Sequence, residues 1–130
     1  MKRFTSKTQK TGELGEKICV AFLQKTRFEI IEQNYTKSFG EIDIIAVRNS
    51  KLHFIEVKSI KLHKVSYETY NPAENFTKVK YLKVWKTAKA YLAEKNVSPE
   101  TSWQIDLYSI YIDTENNHHK VSKIEDVVFS

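Results

Sequence analysis

A chain of 130 residues with 41% hydrophobic and 12% aromatic side chains suits one domain with a single sizeable core, and excludes a disordered or fibrous protein. Lysine and arginine outnumber aspartate and glutamate by 21 to 16; the net charge of +5 favours an anionic partner, although solubility alone accounts for it equally well. The single cysteine, Cys19, excludes an internal disulfide, and the longest apolar run, Ile18 to Leu23, is too short to span a bilayer, so a cytoplasmic protein without a membrane partner is expected.

No repeat, low-complexity tract or composition shift divides the chain. Residues 1–11 read as a mobile basic arm without the apolar core of a secretory signal, and residues 12–130 as one domain. From Gly12 to Thr26 the pattern is helical, with Leu14, Ile18, Ala21, Phe22 and Lys25 at helical spacings and Glu13, Lys17 and Gln24 as a polar stripe. Glu16 is out of place on this wheel, since it falls among Cys19, Val20 and Leu23, where a carboxylate costs free energy unless something compensates it.

Three strand-like segments follow, Phe28 to Tyr35, Glu41 to Val47 and Leu52 to Lys58, each rich in β-branched or aromatic residues. The polar stretch Arg48-Asn49-Ser50-Lys51 reads as a hairpin turn between the last two. Residues 59–71 are expected to form a loop. A helix then starts either at Asn71-Pro72 or at Thr77, with Val79, Leu82, Trp85, Ala88 and Leu92 as its apolar stripe. Two last strands, Trp103 to Ile112 and Val121 to Phe129, are separated by a turn around Asn116-Asn117. The order α-β-β-β-α-β-β describes an α/β fold, a central mixed sheet flanked by helices.

The hairpin carries the chemistry. With the turn centred between Asn49 and Ser50, paired residue numbers sum to 99, so Asp43 faces Glu56 and Glu41 faces Lys58, all four on one face. Paired Cβ atoms lie roughly 4.5–5.5 Å apart. Two carboxylates that close repel by about 4 kcal/mol at an effective dielectric of 20. A divalent cation between them relieves the repulsion, and hard oxygen donors suit Mg²⁺ or Mn²⁺. A lysine on the same face can reach a bound phosphate or water, which completes the requirements of phosphodiester hydrolysis. A solvated strand face with a Glu41–Lys58 ion pair is the plainer reading, and a one-residue slip in the turn would separate the group. Asp43 and Glu56 stand inside very apolar strands, which favours the catalytic reading.

The blocks Gly12-Glu-Leu-Gly15-Glu16, Asn34-Tyr35, Gly40-Glu41-Ile42-Asp43-Ile44-Ile45-Ala46 and Phe54-Ile55-Glu56-Val57-Lys58, with Lys80 and Ala88-Lys-Ala-Tyr-Leu92 behind them, resemble the YraN-like family of uncharacterised bacterial proteins. That family is placed in the PD-(D/E)XK nuclease superfamily and is similar to archaeal Holliday-junction resolvases. The resemblance covers nearly the whole chain in order. It implies a restriction-endonuclease-like fold and Mg²⁺- or Mn²⁺-dependent hydrolysis of DNA, selective for branched structures in the resolvase case. Asp43, Glu56 and the Val57 carbonyl would hold the metal; Lys58 would orient the attacking water or stabilise the transition state; Glu16 would complete the site, with Glu41 as an outer partner of Lys58. A homodimer is implied as well, matching two-fold junctions. The chain departs from the family pattern at Ile60 and Gln104, where arginines are common, and both changes remove candidate phosphate contacts.

Lys78, Lys80, Lys83, Lys86 and Lys89 punctuate the second helix without an acid among them, reading either as a phosphate-tracking ridge, with Lys80, Lys83 and Lys61 as nucleic-acid contacts, or as a solvated face. Tyr67 and Tyr70 either pin the loop to the domain, the preferred reading, or stack on an unpaired base, and Trp85 and Trp103 are expected to lie in the core. His118 and His119 are assigned to a turn and make a poor chelating pair, while Cys19 packs within the first helix. Beside the endonuclease stand two other readings: a nucleic-acid-binding module of the same fold that cuts weakly or not at all, and an assembly protein without metal affinity.

Overall fold

A computed structural model describes residues 7–62 and 76–129. The chain runs α1 (Lys7–Lys25), β1 (Glu29–Lys37), β2 (Gly40–Arg48), β3 (Lys51–Lys61), α2 (Lys78–Glu94), β4 (Trp103–Asp113) and β5 (His118–Ile124). The order α-β-β-β-α-β-β agrees with the sequence reading. Residues 7–11 are helical and lengthen α1 beyond the expected start at Gly12. The alternative helix start at Asn71-Pro72, and with it Tyr67 and Tyr70, lies outside the described residues. Thr77 caps α2, its hydroxyl accepting from the Lys80 amide at 3.3 Å.

The five strands form one sheet in the order β1-β2-β3-β4-β5. Its pairs are antiparallel except β3 with β4, which is parallel and needs a crossover, supplied by the segment containing α2. Helix α1 packs on β3, β4 and β1, and α2 on β2 and β3. Two apolar layers result. Cys19 and Leu23 of α1 meet Ile44, Ile55, Tyr108 and Ile110 on one side, and Val84, Ala88 and Tyr91 of α2 meet Ile42, Ile45, Phe54 and Leu107 on the other. Both helices end in left-handed residues, Arg27 and Asn96, with Phe28 N–H bonded to Leu23 O and Val97 N–H to Leu92 O, so the terminal carbonyls are satisfied as the chain turns back.

Two expectations are corrected. The stripe α2 buries is Val84, Thr87, Ala88 and Tyr91, whereas Val79, Leu82 and Trp85 are 65%, 48% and 41% exposed. The helix carries two stripes at the same spacing, and the mixed one wins because Tyr91 packs edge-on against both Tyr35 and Phe54. The last strand starts at His118 rather than Val121, paired with Asp113 through a turn in which Asn117 is left-handed, so His118 and His119 belong to β5.

Two glycines set how closely the helices approach. A Cβ on Gly15 of α1 would lie 1.7 Å from the Ser59 hydroxyl of β3. One on Gly40 of β2 would lie 2.4 Å from the Thr87 hydroxyl and 3.0 Å from the Lys83 carbonyl of α2. Each clamps one helix onto the sheet beside the residues that the sequence marks as functional.

Candidate metal centre

The β2–β3 turn is the two-residue loop that the sequence suggested. Asn49 and Ser50 have φ of 53° and 61°, the type I′ geometry whose twist matches the flanking strands. The register follows the sum of 99 from Arg48↔Lys51 to Ile44↔Ile55. Pairing then stops, and Asp43 and Glu56 stand one position past the last pair. Here the strands part, and Asp43 Oδ2 takes the Val57 amide at 2.8 Å in place of a β2 carbonyl. The side chains of Asp43 and Glu56 are hydrogen-bonded to one another across the opening.

The break also changes faces. Ile42 belongs to the layer beneath α2 and Ile44 to the layer beneath α1, so the period of two slips at Asp43. The four expected residues therefore do not share one regular face. Glu41 and Asp43 come within electrostatic reach of Glu16 on α1. Glu41 is exposed and accepts from the Thr36 hydroxyl at 3.0 Å, a partner on β1 instead of the expected Lys58. Lys58 is half-buried, and its charge acts on both Asp43 and Glu56.

Burial pushes the Glu56 carboxyl up to about 8, with the charge of Asp43 and the hydrogen bond to it adding to the rise and Lys58 opposing. Burial also raises Asp43, against the Val57 amide, the bond from Glu56 and the charge of Lys58. Both groups are held above the usual carboxylate range, so the pair resists carrying two negative charges. Glu16 is pushed up to about 7, first by burial and then by Asp43, Glu41 and Glu13. Three acids are thus held above their ordinary range in one corner, each first by burial, with the charges of acidic neighbours adding to the rise.

The donor set fits a hard divalent cation with open water positions. Among the described residues no three His, Cys, Asp or Glu side chains converge into a ready-made cage. The protein offers two carboxylates and the Val57 peptide, whose carbonyl faces the same strand edge as its amide. Mg²⁺ is commonly held by one or two carboxylates with the remaining positions left to water and substrate phosphate. Glu16 stands as an electrostatic neighbour of the pair. It forms one wall of an open cleft of about 650 Å³ with Gln9, Gly12, Glu13, Lys17, Gln33, Asn34 and Glu41.

The lysines of α2 separate on the wheel. Lys80 lies on the sheet-facing arc one turn before Val84, Lys83 on the edge next to Gly40, and Lys78, Lys86 and Lys89 on the outer face, all exposed. Lys61 is half-buried at the end of β3. Ile60 and Gln104 are each 9% exposed, Ile60 packed with Leu62 and Tyr111. Both departures from the family pattern thus lie in the interior. Cys19 is fully buried, and burial pushes its thiol up to about 12, far from a nucleophile.

Sequence reasoning missed one constellation. His53 Nδ1 lies 2.7 Å from Asp106 Oδ2, and Gln104 Nε2 and the Asp126 amide donate to Oδ1 at 2.7 and 2.9 Å. The signal available was a run of polar residues, Gln104 and Asp106, alternating within a very apolar strand.

Comparison with known proteins gives a consistent picture. Residues 15–110 match the profile of the family described as "Uncharacterised protein family UPF0102". A UPF0102 protein of Campylobacter hominis is 39% identical over 121 residues, 93% of this chain and 96% of the relative. One from Aliarcobacter butzleri is 39% identical over 107 residues, 82% and 90% of the two chains, and one from Clostridium botulinum 32% over 114 residues, 88% and 89%.

Proposed function

The chain belongs to the UPF0102 family, the YraN-like family that its motifs resemble, and from that premise and the site's geometry we propose that it is a Mg²⁺- or Mn²⁺-dependent endonuclease acting on DNA. One observation carries the reading: Asp43 and Glu56 stand together just past the last β2–β3 pair, with the Lys58 charge acting on both and Glu16 within electrostatic reach of Asp43. Asp106, which is fully buried, is by contrast supplied with hydrogen bonds from three directions. The acids at the centre are thus left short of positive charge by this site's own construction.

In this reading Asp43, Glu56 and the Val57 carbonyl would hold the ion, with both carboxyl groups ionised when it is bound. When bound, such an ion would supply Lewis acidity toward phosphoryl oxygen and an activated water. Lys58 positions that water and the scissile phosphate and carries positive charge toward the transition state. Glu16 sets the charge of the cleft and orders water at its mouth. Lys80, Lys83 and Lys61 hold flanking phosphates. The kinship of this fold with resolvases, as the motifs suggest, makes branched DNA the first substrate to try.

The test is cleavage of labelled linear, flapped and four-way-junction DNA in Mn²⁺ beside an Asp43→Asn, Glu56→Gln double variant. Cutting that requires the ion and disappears in the variant supports the proposal. Binding without cutting, equal in the two proteins, turns the reading to a non-catalytic binding module of the same fold.

A further inference from the structure

Helix α2 buries one stripe and turns another outward. Leu82, Trp85 and Val79 lie on the outer side, 48%, 41% and 65% exposed, and Phe39 in the neighbouring β1–β2 turn is 37% exposed. Two aromatic rings of this face each carry a lysine: Lys89 Nζ stands 5.8 Å from the Trp85 ring centre and Lys86 Nζ 5.2 Å from that of Phe39. From Lys78 to Ala93 the helix holds five lysines and no acid, and the first acid, Glu94, is taken by Lys37 at 2.6 Å.

We propose that this outer face of α2, with Trp85 and Phe39 as its platforms, binds an unpaired nucleic-acid strand. The proposal deepens the nuclease reading and rests on it, because it states that the substrate brings a single-stranded segment past the metal centre. Apolar rings offer a π-face to any base, and lysines between them answer the phosphates, a combination suited to single strands without regard to sequence. Duplex DNA hides its base faces in the stack and gains nothing from Trp85. A second copy of this chain fits the face poorly, since an isologous contact would bring five lysines against five lysines. The lysine over each ring covers it when no strand is present and is free to swing to the phosphate of a stacked nucleotide. Phe39, whose ring meets the outer-face Lys86, precedes Gly40, which packs beneath α2 three residues from Asp43 on the same strand.

The experiment is fluorescence anisotropy of a short labelled oligothymidylate and of a duplex of equal length, on the full chain without divalent ions, so that no cutting occurs. Trp85→Ala should weaken oligothymidylate binding by roughly tenfold and leave duplex binding within twofold, Trp85→Phe should restore most of the loss, and Phe39→Ala should show a smaller loss in the same direction. Wild-type affinity for the single strand in Trp85→Ala overturns the proposal. So does a wild-type dimer that Trp85→Ala dissociates without change in strand affinity, which would make the face a contact between copies. A protein that binds the strand through Trp85 but never cuts DNA in Mn²⁺ fails the endonuclease reading alone, and one that cuts with no regard to Trp85 fails this inference alone.

Discussion

Asp43 and Asp106 are both aspartates set into apolar strands, on β2 and β4, yet their surroundings are opposite. Burial alone would raise the Asp106 carboxyl, but hydrogen bonds from His53, the Asp126 amide and Gln104 outweigh it and hold it below the usual aspartate range. Asp43 receives one amide and a hydrogen bond with Glu56, and its pKa is raised. The first carboxylate joins β3, β4 and the segment after β5 into one structure. Asp43 instead stands where β2 and β3 part, beside the acids Glu56 and Glu41. A buried charge that is fully hydrogen-bonded needs no ligand, and one that is left short is where a ligand belongs.

The sharpest way to break this comparison is Lys58→Ala. Cleavage should fall by at least about a hundredfold, as when a single transition-state contact is lost, while thermal melting stays within a few degrees of wild type. Assays of cutting and of melting on the same preparation read both, and full activity would remove Lys58 from the mechanism. On the other side, Asp106→Ala should cost about 3–5 kcal/mol in urea unfolding, because it strands His53, Gln104 and the Asp126 amide without an acceptor. A loss under about 1 kcal/mol would mean the network is ornamental.

The two carboxylates also predict opposite pH dependence. Glu56 titrates near 8 in the folded protein against roughly 4.3 unfolded, so its contribution is present below about pH 4 and is lost as pH rises through 8. Asp106 is depressed, so its contribution is present above the unfolded value of about 3.9 and is lost as pH falls below it. Without divalent ions, stability should decline from pH 5 to 9 as Glu16 and Glu56 ionise, and Glu56→Gln should lessen that decline while leaving the acid limb alone. Melting curves across pH decide it; a flat alkaline limb in the wild type would show that Glu56 is not strained. The smallest effect expected is at Tyr108, fully buried, whose hydroxyl has no hydrogen-bond partner among the described residues. Tyr108→Phe should be neutral or stabilise by about 1 kcal/mol in denaturant unfolding.

The register that brings Asp43 to Glu56 was legible because a two-residue turn fixes pairing by counting, and Glu16 stood out because a carboxylate on an apolar arc has few explanations. What the sequence concealed depends on contacts distant in the chain. The slip between Ile42 and Ile44 follows from packing against two different helices, which alternation along one strand cannot reveal. The stripe chosen by α2 turned on aromatic partners in β1 and β3, so Trp85 was placed in the core when it faces outward. Gln104 looked like a lost arginine, and its role as a donor to Asp106 needed the fold of the segment after β5 to be seen.

If the Asp43–Glu56 pair holds a divalent cation, the cation must stabilise the fold. The most direct measurement is the melting temperature at pH 8 with and without Mn²⁺, for the wild type and for the Asp43→Asn, Glu56→Gln variant. With free Mn²⁺ a hundredfold above its Kd, the wild type should gain about 2.7 kcal/mol and a clear rise in melting temperature, and the variant should gain none. A wild type indifferent to Mn²⁺, or a variant stabilised equally, would contradict the account.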